Sequence, residues 1–283
     1  MKLLMHGYSF RRAPLDHVFA MARRFGFDGI ELEHFHFDEE RIEEEVEAAV
    51  ALGARHGVPI GCVGYCGQFT EDDADLREHS LSLAERAIRT CGRHGIPQVN
   101  GWADEVVHDP ADWRRNGSAV ASDVDYERAA SACRRLGKVA SECGVTVCLE
   151  THMYSVHDTI AGTAKLLDLV DDPSVVATPD PANFYSLDER DPGVLDAIAG
   201  RVGYFHVKNC LPLGNGQVHK TVDTAYGVID NVAWLAKVIE LGGVPSVAVE
   251  YCGEGDPHPV LAAAPGYVRT CLELAATLSR VEP

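Results

Sequence analysis

The chain has 283 residues, 46% of them hydrophobic and 24% charged, which is typical of a folded globular protein rather than a disordered one. Its formal net charge of −18 argues against a nucleic-acid binder, because affinity for a phosphate backbone depends on clustered Lys and Arg. No apolar stretch approaches the length of a membrane span, and the first residues lack the apolar region of a secretory signal, so we expect no membrane association.

Short apolar runs alternate with longer amphipathic stretches along the chain. We predict eight strands, at residues 3–5, 29–33, 59–63, 97–100, 145–149, 175–178, 202–205 and 247–249. A helix follows each strand, at residues 15–25, 38–56, 73–94, 125–143, 159–170, 192–199, 231–241 and 260–278. Several helix-to-strand links carry Gly, which is favoured just past the C-terminus of a helix.

The repeated strand–helix unit predicts an α/β fold with a parallel sheet. Eight units fit a (β/α)8 TIM barrel that forms a single domain over residues 1–283. An open doubly wound sheet is the alternative. It is disfavoured because no Gly-x-Gly-x-x-Gly motif follows the first strand.

The nine cysteines are scattered along the chain without a Cys-x-x-Cys pair. An odd number of dispersed cysteines indicates reduced thiols rather than a disulfide framework. We therefore expect a cytoplasmic protein in which most cysteines are small buried side chains.

Four of the predicted strands lead directly into a side chain that can bind a metal ion. Glu150, Asp180, His206 and Glu250 follow the fifth to eighth strands. Taken singly, each carboxylate fits a helix cap or loop equally well. In a barrel, however, these strands are neighbours, and three converging carboxylates repel one another unless a cation lies between them. We therefore predict one site for Mn²⁺, Mg²⁺ or Co²⁺, with Zn²⁺ or Fe²⁺ as alternatives.

The same segments resemble the xylose isomerase-like TIM-barrel superfamily, which includes sugar 3-epimerases, inosose and 3-dehydroshikimate dehydratases and endonuclease IV. The matching stretches are residues 149–152 (Leu-Glu-Thr-His), 179–183 (Pro-Asp-Pro-Ala-Asn), 205–209 (Phe-His-Val-Lys-Asn), 249–251 (Val-Glu-Tyr) and 226–230 (Tyr-Gly-Val-Ile-Asp). The resemblance implies that Glu150, Asp180, His206 and Glu250 bind one divalent ion, for which we favour Mn²⁺.

Two positions depart from the family pattern. The epimerases usually have a His three residues after the Asp of the sixth strand, where this chain has Asn183, which we take as a candidate substrate contact. The common seventh-strand motif His-x-Lys-Asp ends here in Asn209. Endonuclease IV needs a trinuclear site with more histidines and a basic groove, and the acidic net charge argues against that activity.

The resemblance also implies catalytic roles. Glu150 and Glu250 would act as acid/base groups as well as ligands, one on each face of a sugar. His152 matches a His that transfers protons in the dehydratases, and orienting Glu150 is its alternative role. Lys208 is a candidate for binding a substrate oxygen or stabilising an enolate, and a salt bridge to a nearby carboxylate is its alternative.

The other half of the barrel mouth offers further candidates for substrate contact, with packing or loop structure as the alternative for each. They are His6 after the first strand, Glu33 at the end of the second, Trp102 after the fourth, and His219 in a Gly-rich loop after the seventh. Such a loop can close over a substrate as a lid.

We therefore predict a metal-dependent isomerase or epimerase of a small sugar or keto-polyol, acting through a metal-stabilised enediolate. A lyase or dehydratase at the same site is the alternative. This class includes a branch of the superfamily that cleaves 3-oxo-C-glycosides and pairs with a small β-rich partner subunit. A sugar-binding protein without activity is a third hypothesis, which the complete ligand set argues against. We expect a small-molecule substrate, no nucleic-acid or membrane partner, and a homo-oligomer.

Overall fold

The computed structural model describes residues 1–212 and 219–279, with only the backbone described for residues 219 and 220. Among these residues, eight parallel strands form a nearly closed barrel. The strands are β1 (Lys2–His6), β2 (Gly29–Leu32), β3 (Ile60–Cys66), β4 (Gln98–Trp102), β5 (Thr146–Glu150), β6 (Val175–Thr178), β7 (His206–Val207) and β10 (Ser246–Val249). Their order in the sheet is β6-β5-β4-β3-β2-β1-β10-β7. A bridge between Ala177 and Val202 brings β6 beside the segment that leads into β7. The predicted TIM barrel is therefore confirmed.

Helices between the strands cover the outside of the barrel. They are α1 (Leu15–Phe25), α2 (Ile42–His56), α3 (Ala74–His94), α4 (Asp123–Cys143), α5 (Ile160–Val170), α6 (Pro181–Phe184), α7 (Asn231–Glu240) and α8 (Pro257–Leu278). Gly144 ends α4 with a left-handed φ of 67°, which turns the chain directly into β5. No helix in the described part of the chain is both long and apolar enough to cross a membrane.

The region after β6 differs from the prediction at several points, the first of which is the short helix α6, which the sequence pattern did not indicate. The seventh strand pairs at His206–Val207 rather than over residues 202–205, because Pro179 has no N–H to donate to the ladder. Residues Pro192–Ile198 form a 3₁₀ helix instead of an α-helix. A hairpin of β8 (Cys210–Pro212) and β9 (His219–Thr221), which the pattern did not indicate, follows β7.

Side chains fill the barrel interior in layers, because residues two apart on a strand point to the same face. One layer is apolar and consists of Leu4, Cys62, Cys148, Tyr204 and Ala248. Two residues further along four of these strands come His6, Glu150, His206 and Glu250. The next layer toward the C-terminal end of the barrel therefore contains ionisable side chains in place of apolar ones.

Candidate functional site

The four side chains predicted as metal ligands meet inside the barrel. Glu150 is the last residue of β5, Asp180 caps the N-terminus of α6, His206 begins β7 and Glu250 follows β10. All four are buried, and one potential ligand atom from each lies within 4.8 Å of the others. We call Glu150, Asp180, Glu250 and the Nδ1 atom of His206 the carboxylate cluster.

His206 Nδ1 lies at the centre of the carboxylate cluster. It is 3.2 Å from Glu250 Oε2, 3.6 Å from Glu150 Oε1 and 4.0 Å from Asp180 Oδ2. Neither His206 Nδ1 nor Glu250 Oε2 has a hydrogen-bond partner among the described residues, although both atoms are buried. Buried polar atoms rarely lack a partner. A divalent cation would supply one, and one imidazole with three carboxylates is a suitable donor set.

Lys208 lies against one side of the carboxylate cluster. Its Nζ donates to Asp180 Oδ2 at 3.2 Å, Glu250 Oε1 at 3.0 Å and Asn183 Oδ1 at 3.3 Å, which matches its three N–H donors. The structure thus gives Lys208 the salt bridges that were its alternative role. Burial raises the pKa of Glu250, but Lys208, His6 and His206 together lower it by more, so that the pKa lies well below its usual range.

The side-chain amides of Asn183 and Asn100 hold Glu150. Asn183 Nδ2 donates to its Oε1 at 2.9 Å, and Asn100 Nδ2 lies 3.4 Å from its Oε2. Asn183 is buried, and both ends of its amide are engaged, so it links Glu150 to Lys208 within the protein. Burial raises the pKa of Glu150, but the neighbouring His206 lowers it by more, to about 2.

The electrostatics of the carboxylate cluster favour a bound cation. Burial raises the pKa of Asp180 to about 7, opposed by Lys208 and reinforced by the charges of Glu250 and Glu150. Burial lowers the pKa of His206, but the surrounding carboxylates raise it by more, to well above its ordinary value. The negative electrostatic potential that raises the pKa of His206 also attracts a metal cation to the same place.

Glu31 is a buried residue that the sequence analysis missed. Its Oε2 lies 3.2 Å from His206 Nε2 and accepts a hydrogen bond from Tyr204 OH at 2.8 Å, while its Oε1 accepts one from Asn100 Nδ2 at 3.1 Å. Burial raises the pKa of Glu31, but His206 and His6 lower it by more, so it lies below its usual value. The available signal was an acidic residue within an otherwise apolar strand, because a buried charge needs partners.

A cavity of about 370 Å³ opens beside the carboxylate cluster, and its size suits a small-molecule site. Its wall includes Glu150, Glu250 and Lys208 together with three of the predicted substrate contacts, His6, Glu33 and Trp102.

His152 also lines this cavity and stacks on Trp102, with ring centroids 4.1 Å apart and an interplanar angle of 9°. His152 Nδ1 lies 3.1 Å from the carbonyl oxygen of Met153. A carbonyl oxygen only accepts, so we assign the ring proton to Nδ1. Nε2 of His152 then keeps a lone pair, as a proton acceptor requires.

His6 and Glu33 form a pair on the opposite wall. His6 Nδ1 accepts a hydrogen bond from the backbone N–H of Tyr8 at 3.2 Å, and His6 Nε2 lies 2.9 Å from Glu33 Oε1. Burial raises the pKa of Glu33 to about 7, so its carboxyl group can carry a proton near neutral pH. The side chain of His219 lies outside the described residues.

Asn209, one of the two departures from the family pattern, anchors the loop after β7. Its Nδ2 donates to the carbonyl oxygens of Thr224 and Ile229, and its Oδ1 accepts from the backbone N–H groups of Cys210 and Ile229. The amide is thus fully engaged within the protein, and the substitution serves loop structure.

Two curated proteins match part of the chain. A probable ketose 3-epimerase from Synechocystis is 32% identical over 92 residues, which is 30% of this chain and 30% of that protein. An inosose dehydratase from Klebsiella pneumoniae is 30% identical over 101 residues, which is 35% of this chain and 34% of that protein. The chain therefore matches about a third of the length of each.

A solved structure matches nearly the whole fold. It is a xylose isomerase-like TIM barrel protein from Mycobacterium smegmatis in complex with magnesium, with a TM-score of 0.76, 19% identity and 97% coverage of both chains. The sequence model of the family described as xylose isomerase-like TIM barrel matches residues 19–271. On this match and on its fold, the chain belongs to the xylose isomerase-like TIM barrel family.

Proposed function

We propose that the protein is a divalent-metal-dependent isomerase or epimerase of a small sugar or keto-polyol. The observation that carries the proposal is the pair of buried, unpartnered atoms, His206 Nδ1 and Glu250 Oε2, in the carboxylate cluster beside a cavity. The names of the two curated relatives, a ketose 3-epimerase and an inosose dehydratase, support a carbohydrate or polyol as substrate.

Glu150, Asp180, His206 and Glu250 would hold one divalent ion. We favour Mn²⁺, with Mg²⁺, Co²⁺ and Zn²⁺ as alternatives, because carboxylate-rich sites suit these hard or borderline ions. The chemistry that such an ion supplies when bound is Lewis-acid polarisation of a substrate carbonyl, which acidifies the neighbouring C–H and stabilises the enediolate that deprotonation produces.

Glu250 is well prepared to act as the base. Its Oε1 accepts from Lys208 Nζ at 3.0 Å and from the thiol of Cys252 at 2.8 Å, so the carboxylate is ionised and its orientation is fixed. Glu150, held by Asn183, would deliver or accept a proton from the other side of the cluster. A pair of oriented carboxylates is what transfer of a proton between two faces of a sugar carbon requires.

The cavity wall favours an uncharged substrate. Glu33, Glu150 and Glu250 line it, and among the described lining residues Lys208 is the one Lys or Arg, with its three donors already engaged. Lys208 therefore has no free N–H group for a phosphate, and the described wall has no Arg to bind one in a bidentate manner. The stacked rings of Trp102 and His152 offer a flat surface for the apolar face of a sugar ring.

A lyase reaction is the second candidate, in which loss of water or of an aglycone follows deprotonation. The match to an inosose dehydratase and the lone pair on His152 Nε2, which can accept a proton, favour it. Lyase and isomerase share the first proton transfer and differ in the fate of the enediolate.

One screen tests both candidates. The Mn²⁺-loaded protein is incubated in D₂O with ketoses, inososes and 3-keto-glycosides, and products are read by NMR and mass spectrometry. Deuterium at the carbon next to the carbonyl, without loss of water or aglycone, supports the isomerase. Elimination supports the lyase. If no member of the panel exchanges or reacts in the loaded protein, the proposed function is wrong for these substrate classes.

A further inference from the structure

The two ring nitrogens of His206 face different surroundings. Nδ1 faces the carboxylate cluster, whereas Nε2 lies 3.2 Å from Glu31 Oε2. An ionised carboxylate only accepts, and Glu31 Oε2 lies closer to Nε2 than the amide Nδ2 of Asn100, which is 3.5 Å away and nearer to Glu31 Oε1 at 3.1 Å, so we assign a ring proton to Nε2. In a neutral imidazole the other nitrogen then holds the lone pair. The contact with Glu31 therefore directs the lone pair of His206 into the carboxylate cluster.

Glu31 is itself held in place from two directions. Tyr204 OH donates to Oε2 at 2.8 Å, and Asn100 Nδ2 donates to Oε1 at 3.1 Å. Tyr204 and Glu31 are both fully buried, so water does not compete for these bonds. The Nδ2 atom of Asn100 also lies 3.4 Å from Glu150 Oε2, which ties the same group of side chains to a second member of the carboxylate cluster. We call Glu31, Asn100 and Tyr204 the Glu31 cluster.

We infer that Glu31 is a positioning residue for the metal site, which fixes the tautomer and ring orientation of His206 so that Nδ1 coordinates the ion. The inference rests on the proposed metal site. Carboxylates that accept a hydrogen bond from the second nitrogen of a metal-binding His generally strengthen the ligand, and their loss weakens metal affinity about 10–100-fold.

A second metal ion on the Nε2 side is the competing explanation, because ligand atoms of His6, Glu31 and His206 also lie within 4.8 Å of one another. The geometry favours hydrogen bonding there. Glu31 Oε2 already accepts from Tyr204, and His6 Nε2 is 4.0 Å from Glu31 Oε2 but only 2.9 Å from Glu33 Oε1. Both oxygens of Glu31 are thus satisfied by hydrogen bonds, in contrast to Glu250 Oε2 in the carboxylate cluster.

The test uses Glu31→Gln, which keeps the shape of the side chain and removes its charge, with Glu47→Gln, at an exposed position on α2, as the matched control. Mn²⁺ affinity is measured by calorimetry, and the fold of each metal-free variant is checked by circular dichroism. We expect affinity to fall about 10–100-fold in Glu31→Gln and to stay at the wild-type value in Glu47→Gln. Wild-type affinity in a folded Glu31→Gln would overturn the inference.

A second readout needs no variant. In wild-type protein with ¹⁵N-labelled histidine and bound Zn²⁺, the ring of His206 is expected to show a metal-coordinated Nδ1 and a protonated Nε2. Coordination through Nε2, or two ions per chain bridged by His206, would overturn the inference. If the wild type binds neither Mn²⁺ nor Zn²⁺, the proposed metal site itself is wrong, which is distinct from full affinity in the variant.

Discussion

The two carboxylates nearest to the ring of His206, Glu250 at Nδ1 and Glu31 at Nε2, differ in their hydrogen bonding. In the carboxylate cluster, His206 Nδ1 and Glu250 Oε2 are buried without a partner among the described residues. In the Glu31 cluster, both oxygens of Glu31 accept hydrogen bonds, from Tyr204 and Asn100. Buried acids and histidines alone do not distinguish a metal site from its support. Unpartnered atoms aimed at a common point mark the site, and satisfied atoms behind them mark the support.

Removing the acid/base group of the carboxylate cluster is expected to have the largest effect. Glu250→Gln should lower kcat about 10²–10⁴-fold, because an amide cannot exchange the proton that general acid/base catalysis moves. The measurement is steady-state turnover on whichever substrate the screen identifies, with metal content checked in parallel. Glu273→Gln, an exposed glutamate on α8, is the control and should keep wild-type kcat. Full turnover in a metal-loaded Glu250→Gln variant would show that Glu250 is not an acid/base group.

Metal removal should destabilise the protein through the carboxylate cluster alone. At a free Mn²⁺ concentration of 100 times Kd, binding to the folded state adds about 2.7 kcal/mol to the free energy of unfolding. Urea denaturation with Mn²⁺ and with EDTA measures the difference. His206→Ala should lose the stabilisation, whereas the exposed His79→Ala on α3 should keep it. Equal stabilisation in both variants would place the ion elsewhere.

The affinity for metal should rise with pH. The pKa of Asp180 is raised to about 7 by burial, and the pKa of His206 is raised by its carboxylate neighbours, so below pH 7 both groups hold protons that a metal must displace. The affinity for the metal ion therefore weakens as pH falls, by about tenfold per pH unit for each displaced proton. Calorimetry in buffers of different ionisation enthalpy counts these protons between pH 6 and 8. Affinity independent of pH would contradict the prediction.

Substitutions in the cavity wall should weaken substrate binding and leave the affinity for Mn²⁺ unchanged. Trp102→Ala removes the ring that stacks on His152, and loss of one aromatic contact is worth about 0.5–1.5 kcal/mol. We therefore expect KM to rise about 2–10-fold with Mn²⁺ affinity unchanged. Steady-state kinetics and calorimetry on the same preparation separate the two effects. A matching loss of metal affinity would mean that Trp102 supports the clusters instead of the substrate.

The sequence predicted most of the architecture because parallel strands and their helices have local patterns. It also identified the four members of one cluster, because barrel topology brings the ends of strands five to eight together. The Glu31 cluster was not predictable in the same way. Glu31 and its partner Tyr204 are 173 residues apart, and neither lies at the C-terminal end of a strand: Glu31 is inside β2, and Tyr204 is in the segment that leads into β7.

Local chemistry explains the other differences. Pro179 interrupts the ladder beside β6, so the seventh strand begins at His206, which the apolar run at residues 202–205 did not indicate. Asp180 caps a short helix that starts with Pro181. An Asp at the N-cap followed by Pro at the first helical position is a common pattern at the start of a helix. The engagement of Lys208 with Asp180 and Glu250 depends on tertiary geometry, and sequence left it as one of two alternatives.

The number of Mn²⁺ ions bound per chain, measured by calorimetry and elemental analysis on metal-stripped and reloaded protein, tests the carboxylate cluster as a metal site most directly. We expect one ion per chain in the wild type and none in His206→Ala, with His79→Ala binding like the wild type. Absence of bound Mn²⁺ in the wild type at millimolar Mn²⁺, or undiminished binding in His206→Ala, would contradict this expectation.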